Sequence, residues 1–208
     1  MTDKLCYEFT NNWFDLTAKK IWDSLIPQIN PTRILEIGSF EGRSACYLID
    51  HLAAYKEIEL HCVDTWEGGL EHKQIDMDKI EKRFYQNTQN AISNAQNSVH
   101  LEIHKGYSDN ILSKLLVEGK RGYFDFIYVD GSHQATDVLC DALMGFRLLR
   151  NDGVLGFDDY LWQEHLPYGV DPMRCPKPAI DAFTNLYCRK VSIISAPNCQ
   201  LYLRKISD

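Results

Sequence analysis

The stretch LEIGSFEGRSA, Leu35 to Ala45, decides the fold of this chain. It ends a short run of strand-formers that starts at Arg33 (RILEI) and breaks at Gly38. Beyond Gly42 a helical pattern opens, with Ala45, Leu48, Ile49, Leu52 and Ala53 at i, i+3, i+4, i+7 and i+8. The two glycines let the backbone turn tightly from strand to helix, and the helix N-terminus offers free N–H groups to a polar ligand. The first half of a βαβ unit is therefore legible in eleven residues.

Moving outward, the same alternation repeats. Residues 11–26 read as a leading helix closed by Pro27, with Trp13, Leu16, Ile21, Trp22 and Leu25 as its apolar candidates. Glu59–Val63 is a second strand ending at Asp64. A polar, glycine-containing loop over 65–78 precedes a helix over roughly 79–96. Val99–His104 is a third strand, and Ser108 is placed to cap a helix over 109–118. Asp125–Val129 is a fourth strand. It is followed by a helical stripe of Ala135, Val138, Leu139, Ala142, Leu143 and Phe146, within 134–149. Asn151-Asp-Gly153 turns into a fifth strand, Val154–Phe157. Beyond an irregular stretch over 160–178, Ala179–Tyr187 reads as helix, and Val191–Ser195 and Leu201–Arg204 as two closing strands.

Alternating strands and helices imply right-handed crossovers. The expected fold is α/β: a Rossmann-like, doubly wound, seven-stranded and mostly parallel sheet, helices on both faces, and an antiparallel C-terminal strand. At 208 residues the chain suits one domain, 1–208, with a helical N-terminal extension over 1–30 and the 65–78 and 160–178 loops flanking the ligand cleft. No run approaches the ~20 apolar residues of a membrane span. The first residues show no basic-then-apolar leader. A net charge of −7 without a basic run argues against a nucleic-acid partner. Seven scattered cysteines lack any C-x-x-C, and Cys46, Cys62, Cys140 and Cys188 lie in or beside apolar patterns, which points to reduced thiols in the cytoplasm. The oligomeric state is not readable.

In doubly wound sheets the ligand sits beyond the carboxyl ends of the strands. Asp64 ends strand two there, placed for a carboxylate to accept ribose hydroxyls. A dinucleotide site usually reads G-x-G-x-x-G. Here the pattern is Glu36-x-Gly38-x-x-x-Gly42, with Phe40 where the middle glycine would fall. E-x-G-x-x-x-G resembles the first motif of class I S-adenosylmethionine-dependent methyltransferases, and the likeness extends over nearly the whole chain. It implies S-adenosylmethionine as cofactor, with Gly38 at the methionine part, Asp64 at the ribose, and Ser108 or Asp109 near the adenine. Glu36, Ser39, Phe40, Gly42 and Ser44 of the first motif would contribute as well, with Thr65 and Trp66 after Asp64, and Gly106 and Asp130 at later strand ends.

Asp130 ends strand four, and Asp158-Asp159 ends strand five. These strands are commonly adjacent, so three carboxylates should converge. Unpaired, they repel, and one must take up a proton. A hard divalent cation, Mg²⁺, Mn²⁺ or Ca²⁺, removes the conflict; the alternative is that Asp158 or Asp159 caps the next segment. Asp158-Asp-Tyr-Leu-Trp162 resembles the D-N-x-L-W segment of cation-dependent O-methyltransferases of the catechol and caffeoyl-coenzyme A type, with Asp159 in place of Asn. The pair also resembles that of the small sugar O-methyltransferases of macrolide and aminocoumarin biosynthesis. In the caffeoyl-coenzyme A group a Lys deprotonates the acceptor, and aligning its D-A-D-K turn on Asp130 puts His133 at that position. An imidazole with an unperturbed pKa near ~6.5 suits a general base, although His133 could instead cap the helix that follows or serve as a structural hydrogen-bond donor. Trp66, Trp162, Tyr160 and Tyr168 are candidate walls for an acceptor pocket, or plain packing. His61, His72, His104 and His165 show no ligand spacing and read as structural or exposed.

The expected activity is methyl transfer to a hydroxyl of a small molecule or sugar, with Asp130 and His133 catalytic and Asp130, Asp158 and Asp159 on the metal. Two rivals stand beside it. One is a nicotinamide-dependent oxidoreductase, which Phe40 argues against. The other is a cofactor-binding relative of the cephalosporin hydroxylases that does not transfer methyl groups.

Overall fold

The structure, a computed structural model, describes residues 5–197 and 199–208. Residues 1–4 of the expected N-terminal extension lie outside the described residues. The strands are β1 (Arg33–Ile37), β2 (Ile58–Asp64), β3 (Val99–Lys105), β4 (Phe124–Val129), β5 (Leu149–Phe157), β6 (Val191–Ile194) and β7 (Leu201–Lys205). They form one sheet in the order β3-β2-β1-β4-β5-β7-β6. Pairing is parallel from β3 through β5, and β7 runs antiparallel to both its neighbours. The switch in strand order falls between β1 and β4, where a doubly wound sheet opens a crevice.

Among the described residues, two α-helices precede the sheet, α1 (Trp13–Leu16) and α2 (Ala18–Ile29), and five connect its strands: α3 (Arg43–Leu52), α4 (Met77–Asn94), α5 (Ser108–Val117), α6 (Ala135–Leu148) and α7 (Lys177–Leu186). Side chains of α2, α3 and α4 pack one face of the sheet, and those of α5, α6 and α7 the other, giving two apolar layers. In α2 the buried residues Ala18, Ile21, Trp22, Leu25 and Ile26 form a single stripe. Trp22 also donates its indole N–H to the Tyr202 hydroxyl of β7 at 2.8 Å, which fixes the N-terminal helices to the sheet. No helix among the described residues is long and apolar enough to cross a membrane.

Several boundaries differ from the sequence reading. The leading helix breaks at Thr17, and Pro27 lies inside α2 rather than closing it; the end falls at Asn30, whose left-handed φ of 41° caps the last turn. Proline in a last turn costs one internal hydrogen bond, which the buried stripe outweighs. Ser108 is the first helical residue of α5, not its cap; Tyr107 precedes it as N-cap. Asn151–Gly153 belongs to β5 as a bulge: Leu149 stands opposite Phe124 and Val154 opposite Phe126, so residues 150–153 loop out within the strand. Leu143 is turned outward, and Gly145 takes its place against Ile127 and Leu155 of the sheet. All seven cysteines are free, but Cys188 is exposed rather than part of an apolar layer.

Candidate active site at the carboxyl ends of the strands

The ladder of the sheet continues one residue past several strands. Gly38 N–H donates to Val63 O at 2.8 Å, Asp130 N–H to Ile37 O at 2.7 Å, and Asp158 N–H to Val129 O at 2.9 Å. These bonds set Asp64, Gly38, Asp130 and Asp158 in a row along the sheet rim. Gly38 has a φ of 88°, and a Cβ added there would meet the Asp130 carbonyl oxygen at 2.0 Å. Only glycine lets the first and fourth strand ends cross so closely.

A cavity of about 770 Å³ lies over this row, within the range of small-molecule sites. Gly38, Phe40, Asp64 and Thr65 line one side, Gly106, Ser108 and Asp109 a second, and the segment Asp130 to Gln134 a third. The loop after β2 borders it with Gly68, Gly69, Leu70, His72 and Lys73, and Met77 of the next helix joins them. Phe40, at a left-handed φ of 47°, turns its ring toward His72, and Trp13 of α1 packs on both rings. The N-terminal extension thus reaches the rim of the cavity.

Glu36, Ser39, Gly42, Ser44 and Trp66 do not line the cavity. Glu36 is fully buried and accepts hydrogen bonds from the hydroxyls of Ser39 and Ser44, so it fills the space at the start of α3. Burial pushes its carboxyl up, and those two hydroxyls hold it partly down. Glu36 thus ties the serine hydroxyls on either side of the β1–α3 turn together from beneath. A Cβ on Gly42 would meet Phe84 at 3.0 Å, and the buried Trp66 packs on that ring while donating to Phe40 O. Asp64 accepts from the N–H groups of Ser39 and Phe40 at 2.9 Å each and of Trp66 at 2.7 Å. A carboxylate offers about four lone-pair sites, so roughly one is left for a ligand hydroxyl where the sequence reading had both hydroxyls of a ribose.

Beside this cavity, a second of about 10 Å³, room for one water-sized sphere, is bordered by Asp130, His133, Asp158 and Asp159. His133 Nε2 lies 2.9 Å from Asp159 Oδ2, and its ring stacks on Trp162 with centroids 3.9 Å apart. It does not cap α6; Ser132 serves that turn by accepting from Gln134 N–H. Asp158 accepts from the Gln200 amide at 2.6 Å and from Asp159 N–H at 2.8 Å. Burial, then repulsion from Asp158 and Asp159, drives the Asp130 carboxyl well up. Burial and Asp159 raise Asp158 to about 6, against the Gln200 bond.

A match to the model of a family described as a methyltransferase domain spans residues 35–160, more than half of the chain. The chain belongs to the methyltransferase-domain family. That match and the seven-stranded sheet agree with the motif resemblance to class I S-adenosylmethionine-dependent methyltransferases. Its fold is similar to that of an O-methyltransferase from Bacillus cereus solved with S-adenosylhomocysteine: 17% identity, TM-score 0.67, covering 99% of this chain and 85% of that one. It is also similar to TomG, an O-methyltransferase of tomaymycin synthesis from Streptomyces achromogenes solved with S-adenosylmethionine: 17% identity, TM-score 0.63, covering 91% and 80%. A search of curated proteins finds no match.

The candidate site contains residues without a motif signal. His72 lines the larger cavity, and so do Tyr107 and Asp141. Asp141 sits on α6 at 1% exposure with Oδ1 lacking a hydrogen-bond partner. It occupies a position between Ala142 and Val138 of the apolar stripe, and that interruption was the available signal. Of the four aromatics considered for the acceptor side, only Trp162 reaches His133. Tyr160 donates to Asp181 of α7, Tyr168 is exposed, and Trp66 is core.

The donor chemistry around the small cavity fits a hard divalent cation: oxygen ligands, and like charges that burial drives toward protonation. The spacing is looser than coordination. Among the described residues, only the group His61, Glu102 and His104 brings three donor atoms within 4.8 Å of one another. Asp159 leans toward His133 and Asp158 toward Gln200 instead.

Proposed function

We propose that this methyltransferase transfers the methyl of S-adenosylmethionine to a hydroxyl of a small molecule or sugar, with His133 as base. One observation carries this reading. The segment Asp130 to His133 borders both the large cavity and the small acidic one, so cofactor and acceptor would meet across four residues. In this reading Gly38, Phe40, Asp64, Thr65, Gly106, Ser108, Asp109 and Asp130 hold the cofactor, and residues 1–208 act as one domain. Asp130, Asp158 and Asp159 would hold Mg²⁺, Mn²⁺ or Ca²⁺, which when bound supplies Lewis acidity to the acceptor hydroxyl. His133 takes the hydroxyl proton while Asp159 orients the ring and stabilises the imidazolium. The acceptor oxygen then bonds to the methyl carbon, and the electron pair of the broken carbon–sulfur bond stays on sulfur. Most of the acceleration comes from holding the two reactants in line. No nucleic-acid or membrane partner enters this reading, and its setting is the cytoplasm, consistent with the seven free thiols.

Calorimetry should show one equivalent of S-adenosylmethionine bound and no response to NADPH. Production of S-adenosylhomocysteine should then be screened over phenols and sugars with Mg²⁺ present. His133→Ala should lower turnover ~10²–10⁴-fold with cofactor affinity unchanged. Turnover undiminished in excess chelator would remove the cation from the mechanism, and full turnover by His133→Ala would remove the base.

A further inference from the structure

The β2–β3 edge of the sheet carries a second cluster of ligand-type side chains that methyl transfer does not use. His61 on β2 stands directly opposite Glu102 on β3, and His104 lies two residues further along the same face of β3. His61 Nδ1 is 2.9 Å from His104 Nε2, and each of these nitrogens is 3.7 Å from Glu102 Oε2. Three donor atoms thus form a triangle open on one side.

We propose that His61, His104 and Glu102 bind Zn²⁺, with a water in the fourth position. A tetrahedral zinc with bonds of ~2.0–2.1 Å spaces its ligands about 3.3–3.4 Å apart, and the three observed edges bracket that value. Closing on the ion requires shifts of a few tenths of an ångström.

The surroundings carry the outer contacts of a zinc site. His61 Nε2 lies 2.7 Å from Glu59 Oε1, so it carries the proton and leaves the Nδ1 lone pair facing the triangle. Glu59 is in turn held by the Tyr123 hydroxyl at 2.6 Å and by Lys120 at 3.2 Å. The second oxygen of Glu102 lies 3.1 Å from His100 Nε2. Phe124 packs its ring edge-on against His61, which is 0% exposed, whereas Glu102 is 37% exposed and gives the ion a way in from the sheet edge. Burial lowers the pKa of both imidazoles, so they are neutral ligands near pH 7. When the metal takes His104 Nε2, the ring keeps its proton on Nδ1. Two imidazole nitrogens select a transition metal over Mg²⁺. Since β3 is an edge strand and His104 precedes the Gly106 turn by two residues, the ion would brace that strand and one wall of the cofactor cavity.

The test uses the full chain freed of metal by chelator dialysis. Zn²⁺ titrated calorimetrically should bind at one equivalent and raise the melting temperature, and Mg²⁺ should do neither at that site. Glu59→Gln should weaken zinc ~10–100-fold. His104→Gln and the more exposed Glu102→Gln, each checked for native circular dichroism, should lose binding, whereas Asp158→Asn should keep it. Co²⁺ in place of zinc should give the intense visible absorption of a four-coordinate ion. Failure of the wild-type chain to bind an equivalent of zinc, equal affinity in His104→Gln and Glu102→Gln, or a weak six-coordinate Co²⁺ spectrum would each overturn the proposal.

Discussion

Single residues decide how close the strand ends can come. At Gly38 a methyl group would collide with the Asp130 carbonyl and also sit at a φ of 88°. Overpacking costs ~1–3 kcal/mol and a left-handed residue ~1–2 more, so Gly38→Ala should lose about 2–5 kcal/mol in urea unfolding. A loss below ~1 kcal/mol would mean the two turns do not cross as described. Asp141 makes a prediction of the opposite sign. Burial lifts its carboxyl from 3.8 to about 7, with nearby Asp137 and Asp109 adding to the shift and Ser108 opposing it. Between those two values the folded chain keeps a proton that the unfolded chain has released. Asp141 therefore contributes fully below pH ~4, and its contribution falls by as much as ~4 kcal/mol as pH rises through 7. Asp141→Asn should be the more stable protein at pH 8 and should lose that advantage at pH 4.5. Parallel melting curves of the two proteins at both pH values would reveal an error in this assignment.

Among the elements, α2 shows best how a local pattern becomes a tertiary commitment. Its apolar stripe was visible as a periodicity, but the hydrogen bond from Trp22 to Tyr202 joins residues 180 positions apart and turns the helix into part of the sheet's cover. Trp22→Ala should cost ~3–5 kcal/mol, from the lost aromatic packing and the Tyr202 hydroxyl left without its donor. A loss within ~1 kcal/mol would show α2 to be a loose appendage. The neighbouring α1 acts differently: Trp13, although exposed, lies against Phe40 and His72 at the rim of the cavity over the strand ends. The break at Thr17 that separates α1 from α2 is what frees this short helix to point there. Pro27, the obvious stop signal, does not end the helix, because one missing N–H in a last turn weighs less than five buried side chains.

For the molecule as a whole, a cavity over the strand ends means that cofactor binding and stability are linked. S-adenosylmethionine at 100 times its dissociation constant should add ~2.7 kcal/mol, which for a chain of this size is a rise in melting temperature of about 5–11 °C. No shift at saturating cofactor would contradict binding to the native state. The sequence by itself determined the architecture: strand and helix periods are set by side-chain spacing along a continuous chain, and LEIGSFEGRSA contains strand, turn and helix in one piece. It also determined which strand ends carry acids, so Asp64, Asp130, Asp158 and Asp159 could be named before any fold existed. What only the tertiary structure decided is where their lone pairs and partners point. Asp64 spends most of its acceptors on backbone N–H groups of the loops after β1 and β2, and Glu36 spends both its oxygens on the hydroxyls of Ser39 and Ser44. His133 meets Asp159 across 26 residues, and His61 meets His104 across 43. Neither histidine pair has a spacing motif, because parallel register brings together residues whose separation in sequence is set by the crossover helix between them.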